Sequence, residues 1–206
     1  MSLVALYPET SLFERKLHDL GYLQVAGVDE VGRGPLAGPV YACALVLPQG
    51  ELPVGIKDSK KISEKKREKL AQELMLISRY GIGVADAETI DEINILEATK
   101  LAMRRALDAI ERVADYVLID ALELPDLKIP QHSLVKGDQV SVSIAAASIV
   151  AKYARDELMR QYDKQYPGYD FARNKGYGTA SHREAILALG PRPIHRRSFL
   201  SRLLEP

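Results

Sequence analysis

Asp29 and Glu30 stand side by side at the end of an apolar run, directly before a glycine-rich turn: Val25-Ala26-Gly27-Val28-Asp29-Glu30-Val31-Gly32-Arg33-Gly34-Pro35. Alternation along a strand sends one of two adjacent side chains toward the core. A buried carboxylate without a partner is costly to ionise. Bound divalent cations offset that cost, and Mg²⁺ or Mn²⁺ favours hard oxygen donors. The competing reading is that the pair simply ends a strand and faces water, as most Asp and Glu do.

Two further carboxylates bear on the choice. Asp120 closes the apolar stretch Tyr116-Val117-Leu118-Ile119, and Asp138 follows Lys136-Gly137 just ahead of a long helical pattern. In α/β sheets, ligands gather where strands end and loops begin. Neighbouring acidic strand ends would bring Asp29 and Asp120 together, and the positive end of a helix dipole favours Asp138. Converging carboxylates repel unless divalent ions neutralise them. A pair of ions roughly 3.5–4 Å apart is a known device for in-line displacement at a phosphodiester. Aspartate at a strand end is common, so spacing alone leaves both readings open.

The elements that must position these acids can be read from periodicity. Val25–Val31 and Pro39–Leu47 read as strands joined by the glycine turn. Ser63 is a helix N-cap with Glu64 in the first turn, and that helix stops at Gly81. Ile82–Ala87 reads as a short strand. Thr89-Ile90-Asp91-Glu92 has capping-box spacing and opens a helical region through Leu96, Met103, Leu107 and Ile110. Asp115–Asp120 and His132–Val135 are further strands. Ser141 to about Gln165 is the longest helical pattern, small and apolar all round in its first half and therefore buried there. Ser181–Leu189 is a short helix, and Arg192–Pro206 reads as a basic, irregular tail. Strands in series and then alternating with helices imply a mixed sheet covered on both faces.

Composition sets outer bounds. At 206 residues, the chain suits one large domain. A hydrophobic content of 47% supplies a core, and 27% charged residues argues against disorder. The longest apolar runs, such as Val40 to Leu47, are too short to span a bilayer, so no membrane association is expected. Met1 to Gly21 lacks the layout of a secretory signal. A single cysteine, Cys43 in apolar surroundings, excludes an internal disulfide and fits a reducing cytosol.

Lys plus Arg and Asp plus Glu both number 28, which argues against a generic polyanion binder. The charge is uneven, however. Lys57 to Lys69 holds seven basic and three acidic residues, whereas Val84 to Asp126 holds eleven acidic and four basic. Such patches either orient a polyanion or are solvated helix faces.

Several segments, in order, resemble bacterial ribonuclease HII, a type 2 ribonuclease H. They are Gly27 to Val40, Asp58-Ser59-Lys60-Lys61, Asn94 to Thr99, Ile119-Asp120-Ala121, Lys136-Gly137-Asp138, Ser143 to Ile149 and Gly176-Tyr177-Gly178-Thr179. His195-Arg196-Arg197-Ser198-Phe199 resembles a further motif. The resemblance spans roughly Leu23 to Phe199. It implies an α/β ribonuclease H-like fold: a five-stranded mixed sheet flanked by helices, with a helical C-terminal extension. It implies one catalytic domain over 1–206, with a core of about 23–190 and a basic tail at 191–206. The implied activity is endonucleolytic, cutting the RNA strand of RNA–DNA hybrids and incising 5′ of single ribonucleotides in duplex DNA. Two ions of Mn²⁺ or Mg²⁺ would serve the reaction, leaving 5′-phosphate and 3′-hydroxyl ends. The implied roles are ribonucleotide excision and RNA primer removal. A cytoplasmic monomer is expected, with a sliding clamp as a candidate partner.

Carried over by motif, Asp29, Glu30, Asp120 and Asp138 are the catalytic, metal-binding carboxylates. Gly32-Arg33-Gly34 resembles the turn that senses the ribose 2′-hydroxyl, and Tyr177 the tyrosine beside the ribonucleotide. Ser59, Lys60 and Lys61 are candidate substrate contacts, as are, more weakly, Lys57, Lys152, Lys175, His182 and Arg183.

The residues suit these roles physically. Glycines around Arg33 leave backbone that a sugar can approach, and a hydroxyl is both donor and acceptor. Arg33 can grip a phosphate with its planar fork. Tyr177 stands between two glycines, which exposes its ring.

Other chemistries find less support. The spacing Gly32-x-Gly34-x-x-x-Gly38 is not that of a dinucleotide-binding turn. Ser143 and Ser148 lie in the buried helix without a nearby base. His132 and His195 are candidate proton shuttles, with structural anchoring as the alternative. The rival functions are another nuclease of the same fold, such as a resolvase or exonuclease, and a hybrid-binding module without catalysis.

Overall fold

The protein is described by a computed structural model over residues 7, 9–50, 52–57, 59, 62–110 and 113–204. Among these residues, five strands form one mixed sheet: β1 (Val25–Val31), β2 (Val40–Val46), β3 (Arg79–Ala85), β4 (Tyr116–Asp120) and β5 (Gln131–Leu134). The spatial order is β3-β2-β1-β4-β5. β1 runs antiparallel to β2 and parallel to β4, so the central strand joins both kinds of pairing. The mixed sheet expected from the sequence is the observed one.

Eight helices accompany it among the described residues: α1 (Leu12–Asp19), α2 (Glu64–Ile77), α3 (Ala87–Ala109), α4 (Gly137–Val140), α5 (Val142–Gln165), α6 (Phe171–Asn174), α7 (Ala180–Leu189) and α8 (Arg197–Leu204). They cover both faces. Ala98, Ala102, Met103 and Ala106 of α3 pack on Ala26, Val28, Ala42 and Ala44. Ala145, Ala146, Ile149 and Val150 of α5 pack with Cys43 and Leu45 on the other side. Period-two alternation in β1 and β2 divides the residues in this way. Small side chains let the layers approach closely. A Cβ on Gly27 would lie 2.1 Å from the Ser143 carbonyl carbon, and one on Gly83 1.8 Å from the Ala102 oxygen.

Four local expectations need correction. β3 begins at Arg79 rather than Ile82, and it ends at Ala85. Gly81 does not end a helix: it lies inside the strand, with the Ala106 carbonyl of α3 pressed against it. The cap of α3 is Asp86, whose carboxylate accepts from the Thr89 N–H at 2.9 Å, so the Thr89 capping box does not open the helix. α3 is kinked at Asn94 (φ 67°), where the Asn94 side chain accepts from the Leu96 and Glu97 N–H groups and restarts the helix. Residues 197–204 are helical rather than irregular. Asp91 accepts from the N–H groups of Arg197 and Ser198 at 2.8 and 3.0 Å, supplying the anchor for that helix from a distant element.

α1 is anchored just as firmly. Buried Glu14 accepts from the Ser141 hydroxyl at 2.6 Å and the Ser143 N–H at 3.0 Å. A carboxylate therefore holds the N-terminus of the buried helix α5, where the dipole favours it.

Candidate active site

The parallel register of β1 and β4 pairs Val28 with Ile119, so the next residues, Asp29 and Asp120, come side by side. Both alternate onto the α5 face of the sheet, following Gly27 and Leu118. Glu30 alternates the other way, and its longer side chain still reaches the group. One carboxylate oxygen from each of Asp29, Glu30 and Asp120 lies within 4.8 Å of the others. Asp138 is placed by a separate device. It lies in the first turn of α4, not of the long helix, and directly follows Gly137, whose N–H donates to Asp120 Oδ1 at 2.6 Å. The structure thus gathers three of the four acids tightly and sets the fourth on the adjoining turn.

The electrostatics are those of an incomplete site. Asp29 is only 6% exposed. Burial, then the charges of Glu30 and Asp120, raises its carboxyl well above the usual range. Burial also raises Glu30, with Arg33 pulling the other way across 3.5 Å and Asp120 adding repulsion. Glu30 Oε2 is buried without a hydrogen-bond partner among the described residues. Three crowded carboxylates and an orphaned oxygen suit a hard divalent cation, which would neutralise the repulsion and fill that empty coordination.

Asp29 is held for this task. Its Oδ1 accepts from the Glu30 N–H at 2.7 Å, and the Ser148 hydroxyl bonds the same carboxylate. Ser148 in turn meets Ser59 at 2.7 Å between hydroxyl oxygens. Ser59 is 4% exposed, so its hydroxyl lies beneath the carboxylate group and faces inward. Lys60 and Lys61 lie outside the described residues. Along the sequence, Ser148 has no neighbouring base. Its true partner is an acid, which no spacing along the chain reveals.

The glycine turn starts where β1 ends. Gly32 has φ +96°, and a Cβ there would sit 2.3 Å from Arg155 Nε, so the turn has no room for a side chain. Arg33 and Gly34 are exposed. Tyr177 is 45% exposed, and its ring faces Gly34: a Cβ on Gly34 would lie 3.7 Å from the ring. The turn and the tyrosine, 143 positions apart in the chain, form two walls of one surface beside the carboxylates.

The weaker phosphate candidates divide. Arg183 is exposed, with Nη1 donating to the Gly178 carbonyl at 2.5 Å. Lys152 is engaged by Asp156, and Lys175 by Glu64 and the Ala172 carbonyl. His182 and His195 are buried against each other, their Nε2 atoms 3.2 Å apart. With both ring nitrogens of each engaged, neither is placed as a proton shuttle. His132 is exposed on β5 with its ring 6.0 Å from that of Phe13. Cys43 is buried, and burial raises its thiol.

Comparison with known proteins agrees with this geometry. A family profile described as Ribonuclease HII matches residues 26–202. The protein called Ribonuclease HII in Caldanaerobacter subterraneus subsp. tengcongensis is 50% identical over 198 residues, covering 96% of this chain and 82% of that protein. Among solved structures, one of the PCNA:RNase HII complex from Archaeoglobus fulgidus matches with a TM-score of 0.72 and 25% identity, over 85% of this chain and 94% of that one. Bst-RNase HIII in complex with Mn²⁺ matches with a TM-score of 0.61 and 25% identity, over 85% and 72%.

Proposed function

Since the chain belongs to the ribonuclease HII family, and is by that membership a metal-dependent hydrolase of the ribonuclease H type, we propose that it cuts RNA–DNA hybrids and incises 5′ of single ribonucleotides in duplex DNA. Asp29, Glu30, Asp120 and Asp138 would hold two divalent cations, Mn²⁺ or Mg²⁺. The carrying observation is the buried, mutually repelling carboxylate group with its unpartnered Glu30 oxygen, directly joined to an exposed glycine turn. A protein that only bound hybrids would have no use for that repulsion. The solved relative in complex with Mn²⁺ supports the choice of ion.

Cations bound there would supply positive charge against the charge building on the phosphate and make water a stronger nucleophile. The chain's own residues do the rest. Ser148, Ser59 and the Glu30 N–H keep Asp29 in one orientation. Arg33, exposed beside Glu30, would take a phosphate, and Lys60 and Lys61 remain phosphate contacts on sequence grounds. The backbone at Gly32 to Gly34 meets the ribose, where a 2′-hydroxyl is the only group distinguishing RNA from DNA. Tyr177 packs on the sugar at the junction. Water adds across the P–O3′ bond, leaving a 3′-hydroxyl on one fragment and a 5′-phosphate on the other.

Ribonucleotide excision and RNA primer removal in the cytoplasm are the corresponding roles, for a protein acting as a monomer with one catalytic domain. No helix among the described residues is long and apolar enough to cross a membrane. The likeness to the archaeal protein solved with PCNA supports a sliding clamp as a recruiting partner.

The test uses end-labelled duplexes: one with a single ribonucleotide, one RNA–DNA hybrid and one all-DNA, each with Mn²⁺, Mg²⁺ or EDTA. The expected result is cleavage of the first two only, 5′ of the ribonucleotide in the first, and none in EDTA. Comparable cutting of all-DNA duplex, or activity in EDTA, overturns the reading.

A further inference from the structure

Three segments remote in sequence meet around the substrate-facing turn: residues 32–39, residues 175–178 and residues 192–197. Their joints are hydrogen bonds between main chains and buried side chains. Leu36 and Ala37 N–H groups donate to the Gly176 carbonyl at 2.8 and 3.3 Å, and Gly38 N–H to the Ile194 carbonyl at 2.8 Å. Arg196 is fully buried, and among the described residues its side chain hydrogen-bonds to carbonyls alone. Its Nη2 donates to Gly32 and Gly38, its Nη1 to Arg33 at 2.9 Å and its Nε to Gly38 at 3.0 Å. One guanidinium thus spans both ends of the glycine turn, a task that needs its rigid, multi-donor fork.

The tyrosine loop is tied to the same segment by the histidine pair. Arg192 N–H donates to His195 Nδ1 at 2.9 Å, so that nitrogen carries no proton and His195 Nε2 does. His195 Nε2–H then donates to His182 Nε2 at 3.2 Å. His182 Nδ1 carries the remaining proton and donates to the Tyr177 carbonyl at 2.9 Å. The partners therefore fix both tautomers, and the chain of bonds runs without a break from Arg192 to Tyr177. Neutral rings suit it, and burial pushes both histidines below their usual range.

We propose that Arg196, His195 and His182 are positioning residues for ribonucleotide selection: Arg196 sets the glycine turn, the histidine pair sets Tyr177, and the shared segment 192–197 fixes the gap between them. None of the three needs to touch substrate. The inference rests on the ribose-reading role proposed above for the turn and Tyr177. Misplacement of a reading group by about 1 Å is enough to cost up to a hundredfold in rate.

The experiment compares kcat/KM on the single-ribonucleotide duplex and on a long RNA–DNA hybrid, with Mn²⁺ binding measured by calorimetry on the same preparations. His182→Leu removes the bond to Tyr177. His182→Asn keeps a donor near the Nδ1 position. We expect His182→Leu to lose about tenfold or more in the ratio of the two substrates, with Mn²⁺ affinity within about twofold of the parent, and His182→Asn to recover most of the ratio. Arg196→Lys, which keeps charge but loses the fork, should shift the same ratio; if it fails to fold, the histidine variants decide. An unchanged ratio in His182→Leu overturns the inference, as does a parallel fall in both substrates and in Mn²⁺ affinity. If the parent protein itself shows no response to a ribonucleotide, the function proposed above falls as well; if the parent selects and the variants select equally, only this inference does.

Discussion

At the sheet end, three carboxylates crowd within 4.8 Å and one buried oxygen has no partner among the described residues. Nearby, Arg155 and Arg196 are fully buried, and every guanidinium nitrogen of both finds a carbonyl. The first region is acidic and unsatisfied; the second is basic and saturated. A saturated polar lattice completes itself and makes the local backbone rigid. An unsatisfied one holds free energy that only an added partner releases. The contrast separates a place built to bind something from a place built to hold the binder still.

The largest expected effect breaks the first region chemically. Asp29→Asn and Asp120→Asn should each lower cleavage on the order of 10³-fold or more, because a required ligand to the cation is lost. Substrate binding, measured by anisotropy on the single-ribonucleotide duplex, should stay within about threefold. Full activity of either variant with Mn²⁺ would remove the metal assignment.

The second region should respond in stability instead. Arg155→Met leaves the carbonyls of Pro39, Lys175 and Ala37 unpaired. At about 1 kcal/mol for each unmade bond, the loss is about 3 kcal/mol. For a chain of this size that lowers Tm by roughly 6–12 °C. A Tm within 2 °C of the parent would show that the lattice is not stabilising. Scanning calorimetry of the metal-free protein reads it directly.

The two regions also differ in how far the sequence discloses them. Asp29, Glu30 and Asp120 were legible because strand alternation and strand ends are local facts, and the parallel β1–β4 pairing merely brought them together. The extents of β1 and α5 were legible for the same reason. The lattice was not. Arg196 sits in a stretch that reads as an irregular basic tail, and nothing local distinguishes an arginine that will be buried from one that will be solvated. Its partners are backbone carbonyls 158 to 164 positions away, which carry no side-chain signature. Asp86 took the cap of α3 from Thr89 because two good capping residues lay three apart, and the N–H of one became the donor to the other. The clamp between Asp91 and α8 was equally invisible, since it joins a helix face to the tail.

Acid should loosen the second region. His195 is held down to about 4 by burial and then by His182, against about 6.5 in an unfolded chain. The unfolded state therefore binds more protons between about pH 4 and 6.5, and stability falls as pH drops through that window. From pH 6.5 to 5 the His195 share is on the order of 1 kcal/mol. His195→Asn keeps an acceptor for the Arg192 N–H but cannot titrate. Its urea-unfolding free energy should lose that part of the pH slope. An unchanged slope would mean that the histidine pair is not the acid-sensitive joint.

The smallest effect has the opposite sign and sharpens the contrast most. Without metal, Asp29 has a carboxyl raised by burial and by the neighbouring acids. A raised carboxyl favours the folded state at low pH, and that support is lost as pH rises through the folded value. At neutral pH this carboxyl is therefore a cost to the metal-free fold. Asn preserves the oxygen that accepts from the Glu30 N–H while removing the charge. Metal-free Asp29→Asn should therefore be more stable than the parent at pH 7, with the gain fading as pH falls. Added Mn²⁺ should raise the Tm of the parent and not of the variant, since only the parent binds it in the folded state. A variant less stable than the metal-free parent would show that the carboxylates are satisfied on their own, and the difference between the two regions would vanish.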